Sequence, residues 1–195
     1  MEMSDYLVWQ PLWKRGWCRL LALENVGHRG RLIRGLPCAA DFPADVCVRM
    51  NPDFPNDTLL TDCLTSRGGE LVVSQPMIEF LQQQKLPHVE YLPVQVLDHR
   101  GRSVEEAYSV VHPISPVDCL DLDACAPTWS SSAPDQIMFV ETIVLDPKRI
   151  DPTRPLFRPA AYTAVKIIHR SLADALTSAK FTGCNFLEFE SYRPG

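Results

Sequence analysis

Through the first seventy residues, apolar positions alternate or run in short stretches, and Gly or Pro interrupts them before any helical period is established. Residues 6–9, 18–23, 31–33 and 46–50 read as strands. Gly16, Gly27, Gly30, Gly35, Pro37, Pro43 and Pro52 punctuate them, which predicts a β-rich N-terminal part over 1–70.

From Leu71 the pattern sharpens. Leu71-Val72-Val73 reads as a strand, Ser74 as a helix N-cap, and Pro76 is tolerated in the first turn. Met77, Ile78 and Leu81 share one helical face, Phe80 flanks it, and Pro87 ends the helix. Residues 89–97 form the next strand, Asp98-His99-Arg100-Gly101 a turn, and 107–112 the hairpin partner. After a Pro- and Ser-rich loop, 137–145 reads as another apolar strand. Near the end, 164–168 reads as a strand and Ser171 as the cap of a helix carrying Leu172, Leu176 and Ala179 at i, i+4 and i+7. Asp174 near its start and Lys180 in its last turn both suit the helix dipole. Thr182-Gly183 stops this helix, and 184–189 is a final strand.

A shift of 95 positions lays Met77 on Leu172, Leu81 on Leu176, Leu86 on Phe181, Val89 on Cys184 and Tyr91 on Phe186. This predicts two strand–helix–strand units with both helices on one sheet face; generic amphipathic patterning would give a similar match. The chain has 195 residues, 46% hydrophobic and 22% charged, which argues against disorder and for one globular domain. The expected fold class is α+β: a single domain over 1–195, with a mixed β-sheet and at least two helices packed on it. No apolar run has signal-peptide or membrane-spanning length, and the seven cysteines form no C-x-x-C pair. Reduced, mostly buried thiols in a cytoplasmic protein are the expectation.

Charge is unevenly spread. Residues 1–35 carry six Lys/Arg against three Asp/Glu, 36–145 five against sixteen, and 146–195 eight against five. An acidic middle between mildly basic ends suits a cationic partner and disfavours nucleic acid, though solvated acidic loops would look the same.

Motifs for catalysis are sparse. The sequence has no Walker loop, dinucleotide fingerprint, nucleophile elbow or H-E-x-x-H, so no cofactor is expected. The five histidines never fall at helical ligand spacing. Asp121 and Asp123 alternate beside Asp118, which would put carboxylates on one side of an extended segment, as a hard cation requires. The segment lacks the glycine and closing Glu of an EF-hand loop, and a capped turn or an acidic face explains it as well. A metal-dependent hydrolase using Asp118, Asp121, Asp123 and His112 is the enzymatic alternative. Gly27-His28-Arg29-Gly30, among Lys14, Arg15, Arg19, Arg31 and Arg34, matches the G-x-x-G loop of an RNA-binding module. The flanks read as strands, however, and an exposed β-turn accounts for it.

Three stretches together resemble a known family. They are 74–81 continuing through Val89-Glu90-Tyr91-Leu92-Pro93-Val94 to Tyr108; Val117-Asp118-Cys119-Leu120-Asp121; and Leu156-Phe157-Arg158 through Ser171, Leu172 and Leu176 to Phe181-Thr182-Gly183-Cys184-Asn185-Phe186. Their order and spacing resemble the family-eleven immunity proteins of bacterial polymorphic toxin systems, formerly a domain of unknown function. The likeness covers 71–195, and a Ser or Glu expected soon after Asp121 is replaced by Asp123-Ala124-Cys125. The resemblance implies a non-enzymatic protein that binds and neutralises a cognate toxin, with no catalytic residues to carry over. Many such toxins attack nucleic acid and are basic, so an acidic face would complement them. The expected contact surface is Asp118, Asp121, Asp123 and Trp129 with Glu105 and Glu106, Trp129 serving as an aromatic anchor. No membrane or nucleic-acid partner is expected.

Overall fold

In the computed structural model, which describes residues 2–193, β1 (Tyr6–Pro11) and β2 (Arg19–Leu20) are followed by a one-turn helix, α1 (Arg29–Ile33). Then come β3 (Cys47–Arg49), β4 (Cys63–Ser66), β5 (Leu71–Ser74), helix α2 (Gln75–Gln83) and the hairpin of β6 (Val89–Leu97) and β7 (Tyr108–Pro113). The short helix α3 (Leu122–Cys125) precedes a ribbon of β8 (Thr128–Trp129) and β9 (Ile137–Phe139). The chain ends with β10 (Leu156–Phe157), β11 (Ile167–His169), helix α4 (Arg170–Ser178) and β12 (Cys184–Leu187).

Six strands form a mixed sheet in the order β2-β4-β5-β7-β6-β3. Its two edges also meet. The Leu21 amide donates to the Arg49 carbonyl (2.9 Å), Asn51 to Arg19 (2.8 Å), and Glu24 pairs with Cys47. The sheet therefore closes into a small barrel filled by Leu20, Val48, Leu64, Val72, Leu92 and Val110. Because side chains alternate along a strand, Cys63, Leu71, Val73 and Val111 fall on the barrel's outer wall. A second sheet, β10-β11-β1-β12, is antiparallel throughout. Its Tyr6, Val8, Phe157 and Ile167 face a core completed by Val117, Leu120, Ile143, Leu145 and Phe189.

Between the two sheets lies a third core holding both longer helices. Met77, Ile78 and Leu81 of α2 share it with Leu172, Ala173 and Leu176 of α4. The 95-residue correspondence is therefore structural: β5, α2 and β6 recur as β11, α4 and β12 (75–83 becomes 170–178). The expectation that both helices lie on one sheet face is corrected. Each packs on its own sheet, α2 on β5 and β7, α4 on β11 and β1, and their apolar faces meet in the shared core. The protein is a single α+β domain with helices on its sheets.

Several local expectations change for physical reasons. Residues 31–33 belong to α1 rather than a strand, because only Leu32 is buried and the backbone closes one turn, with Arg34 N donating to Gly30 O. Of 137–145, only Ile137–Phe139 pairs as a strand; Val140, Ile143 and Leu145 are buried from irregular backbone. Ser74 precedes α2 but does not cap it with its hydroxyl, which instead donates to Asp62 (2.8 Å). In α4 the capping side chain belongs to His169, whose Nδ1 accepts from the Ser171 amide, and Lys180 lies beyond the last turn with φ 62°. The final strand spans Cys184–Leu187 only, and Phe189 lies in the turn that follows.

Candidate functional site

Four large apolar side chains between 122 and 139 are left in solvent. Trp129 is 42% exposed, Met138 63%, Phe139 41%, and Leu122, at the start of α3, 39%. Three of them stand on the β8–β9 ribbon, where Thr128 pairs with Phe139 and Trp129 with Ile137 around an irregular register. The ribbon is fixed from below. Ile137 is buried and its amide donates to the Ala161 carbonyl, while Gln136 donates to Ala160 O and accepts from the Thr163 hydroxyl. Anchored along one side, the ribbon leaves Trp129, Met138 and Phe139 open to solvent. Side chains alternate along β9, so Met138 lies on the face opposite Ile137 and Phe139; exposed apolar side chains held close together on a fixed ribbon are a feature of interaction sites.

The sequence around the ribbon is acidic. Between Arg102 and Lys148 the sequence contains eight Asp or Glu and no Lys or Arg. Some of these acids are already engaged. Asp121 caps α3 by accepting from the Ala124 amide (3.0 Å), Asp118 and Asp146 pair with Arg149, and Asp135 pairs with Arg34. Among the described residues, Asp121, Asp123 and Glu141 have no ion-pair partner, which leaves three acids of this stretch uncompensated by a paired cation.

Of the expected contact residues, Asp118, Asp121, Asp123 and Trp129 follow one another along the segment that runs through α3 into β8. Glu105 and Glu106 do not. They sit just before Tyr108, whereas Asp118 follows Pro113, so the two groups flank opposite ends of β7, a strand about 17 Å long. Glu105 and Glu106 instead line a shallow hollow with Asp98, His99, Arg100 and Arg102, where the charge is mixed.

His112 does not join the Asp carboxylates either. It is fully buried, its Nε2–H donates to Leu36 O (2.9 Å), and its Nδ1 accepts from Arg158 (3.2 Å). Burial, reinforced by Arg158, pushes its pKa down to about 4. Ligand-type atoms of Cys38, Glu90 and His112 lie within 4.8 Å of one another. They are committed elsewhere: Glu90 accepts from the Cys38 and Ala39 amides, and the Arg158 guanidinium beside His112 repels a cation. This knot ties α1 and the segment after it to β6, β7 and Arg158.

The N-terminal basic residues are dispersed among acids and rings. Arg19 is sandwiched between Trp13 and Phe54 (3.3 and 3.8 Å) and pairs with Asp57, while Arg31 pairs with Asp41 and Arg34 with Asp135. Gly27 and His28 lead directly into α1.

Sequence reasoning missed a buried polar group: Arg158, Lys166 and Glu70 are 4%, 6% and 7% exposed. Arg158 donates to Leu32, Ile33 and Thr163 carbonyls, and Lys166 to Gly69 and Ala164 carbonyls. The available signal was a single cation inside each of two apolar runs, Leu156-Phe157-Arg158 and Val165-Lys166-Ile167. Burial pushes the Lys166 ammonium down to about 7, and Arg158 adds to the shift.

Among the described residues, no helix is long and apolar enough to cross a membrane. Comparison with known protein families finds none whose model matches this chain, and comparison with curated proteins finds no match.

Proposed function

We propose that this protein acts by binding another protein, a basic toxin, and neutralising it in the cytoplasm of the cell that makes both, without catalysing a reaction. One observation carries the reading: the exposed Trp129, Met138 and Phe139 stand on an anchored ribbon within a stretch, 114–147, that has six acids and no Lys or Arg. Aromatic and Met side chains are the types enriched at binding hot spots and interface cores. The acidic surround complements a cationic partner and speeds its approach. The order of the three motifs that resemble family-eleven immunity proteins points the same way.

The test is to find whether an adjacent gene encodes a toxin-like protein and to co-express the two. Survival and a stable complex on size exclusion are expected, and both should fail for Trp129→Ala combined with Met138→Ala. Survival no better than with an unrelated protein, together with no complex, would overturn the proposal.

A further inference from the structure

A cavity of about 180 Å³ lies where the two sheets adjoin, lined by Val8, Trp9 and Gln10 of β1, Thr65 and Ser66 of β4, and Lys166. It sits at equivalent points of the two repeated units, since Leu71 and Lys166, 95 positions apart, both line it. Three observations set it apart from a packing defect. First, Lys166 is 6% exposed, yet its ammonium bonds only carbonyl oxygens, those of Gly69 and Ala164. Among the described residues, no carboxylate lies within 4.0 Å of it. Second, Arg158 and Lys166 share this interior with a single buried carboxylate, Glu70, which is itself held by the Ser66 hydroxyl (2.6 Å). With Lys166 protonated, two buried cations face one buried carboxylate; the lysine relieves this in part by giving up its proton near pH 7, and a bound anion would relieve it without that loss. Third, the Thr65 hydroxyl is shut off from solvent without a hydrogen-bond partner, a condition rare in folded proteins.

We propose that this cavity binds a small organic carboxylate. Its anionic end meets Lys166, a turn of the Thr65 side chain brings that hydroxyl onto it, and its apolar body lies against Pro11, Ala164 and Tyr192, the lining side chains that keep open surface. The bound anion balances the excess cation and gives Thr65 its missing partner. Size fits: a cavity of about 150 Å³ accepts benzene, so the space admits a body of roughly that size. This site is separate from the β8–β9 ribbon and stands or falls independently of toxin binding.

The experiment is calorimetric titration of the full chain at pH 6, where Lys166 keeps its proton, with acetate, butyrate, benzoate and inorganic phosphate, alongside thermal unfolding. Butyrate or benzoate should bind saturably and raise the melting temperature. Lys166→Met keeps the side-chain length while removing the buried charge, so the fold should survive it. Affinity should nevertheless fall by about tenfold or more, the loss expected for a charge-assisted hydrogen bond. Thr65→Val, which leaves Lys166 in place, should weaken binding to a smaller degree. Saturable binding by none of the acids, binding by phosphate alone, or affinity unchanged in Lys166→Met would each overturn the proposal.

Discussion

Tyr6 and Tyr108 occupy the same place in two different sheets. Tyr6 pairs with His169 and Tyr108 with Ser74, and those two partners are themselves 95 positions apart (74 and 169). The correspondence continues down both strands: Val8 and Val110 lie opposite Ile167 and Val72, and Pro11 and Pro113 opposite Cys184 and Val89. In the first unit the strand between the repeated pair is β7, which follows it in sequence. In the second it is β1, supplied from the other end of the chain. The N-terminal strand therefore completes the C-terminal unit.

A stability prediction follows for β1. Trp9 is 1% exposed in the shared core, on the strand lying between β11 and β12. Trp9→Ala should cost about 3–5 kcal/mol in denaturant unfolding. Leu81→Ala and Leu176→Ala, equivalent and fully buried positions, should each cost about 2–5 kcal/mol. A midpoint unmoved by either leucine substitution would contradict the shared core.

Gly183 is expected to be irreplaceable. Its φ is +79°, and a Cβ there would strike the Cys63 carbonyl oxygen and press on Thr61 Oγ1. The neighbouring Thr182 carbonyl accepts from the Cys63 amide, while Asp62 accepts from both the amide and the hydroxyl of Thr182. This joint connects β4 of the barrel to the turn after α4. Gly183→Ala should destabilise by more than the ~1 kcal/mol typical of a glycine in a left-handed turn, because backbone as well as φ must yield. A variant with an unchanged melting temperature would show that the joint is not tight.

Burial of titratable groups predicts a stability optimum above neutrality. The pKa of His112 is lowered from 6.5 to about 4, so between those values the unfolded chain takes up a proton that the folded one refuses. Stability should therefore fall as pH drops below 6.5. Lys166 is lowered from 10.5 to about 7, so above pH 7 the folded state sheds a proton that the unfolded state keeps, and stability should rise. Cys18 and Cys119 are pushed from 9.0 up to about 12, which reverses the slope above pH 9. Each group contributes at most about 1.4 kcal/mol per pH unit. Unfolding measured from pH 5 to 10 should peak between 8 and 9, and Lys166→Met should flatten the rise above pH 7. A rise that persists in Lys166→Met would assign it to another group.

How much of this was legible in the sequence depended on how local the determinants were. The strand at Leu71, the helix over Met77 and Leu81, and the hairpin through Asp98 and Gly101 matched the structure to within a residue or two, because alternation, helical period and turn residues all act over a few positions. Arg31-Leu32-Ile33 was misread because one turn of helix with a single buried residue carries no period. Gly183 was taken for a helix stop, yet its constraint is the approach of β4, some 120 residues earlier. The barrel closure and the borrowed β1 depend on long-range pairing, which no local pattern encodes. For the candidate site, the acids and Trp129 were visible. Met138 and Phe139 lie hidden inside what reads as one apolar strand, and charge alone groups Glu105 and Glu106 with Asp118, Asp121 and Asp123 although β7 separates them.

The central proposal is that a basic toxin docks on the β8–β9 ribbon, and association kinetics with a toxin against which this protein protects cells test it most directly. Three proteins should be compared, each at low and at moderate salt: the unaltered chain, Trp129→Ala, and Asp123→Lys with Glu141→Lys. The last pair is chosen because Asp121 caps α3 and Asp118 is paired with Arg149, so reversing those would disturb structure as well as charge. Trp129→Ala should speed dissociation and cost about 2 kcal/mol or more of binding. The double reversal should chiefly slow association, and salt should do the same to the unaltered chain, since exposed charges are screened within ~8–10 Å. A complex whose on-rate ignores both salt and the reversal, and whose off-rate ignores Trp129→Ala, would contradict docking on the ribbon.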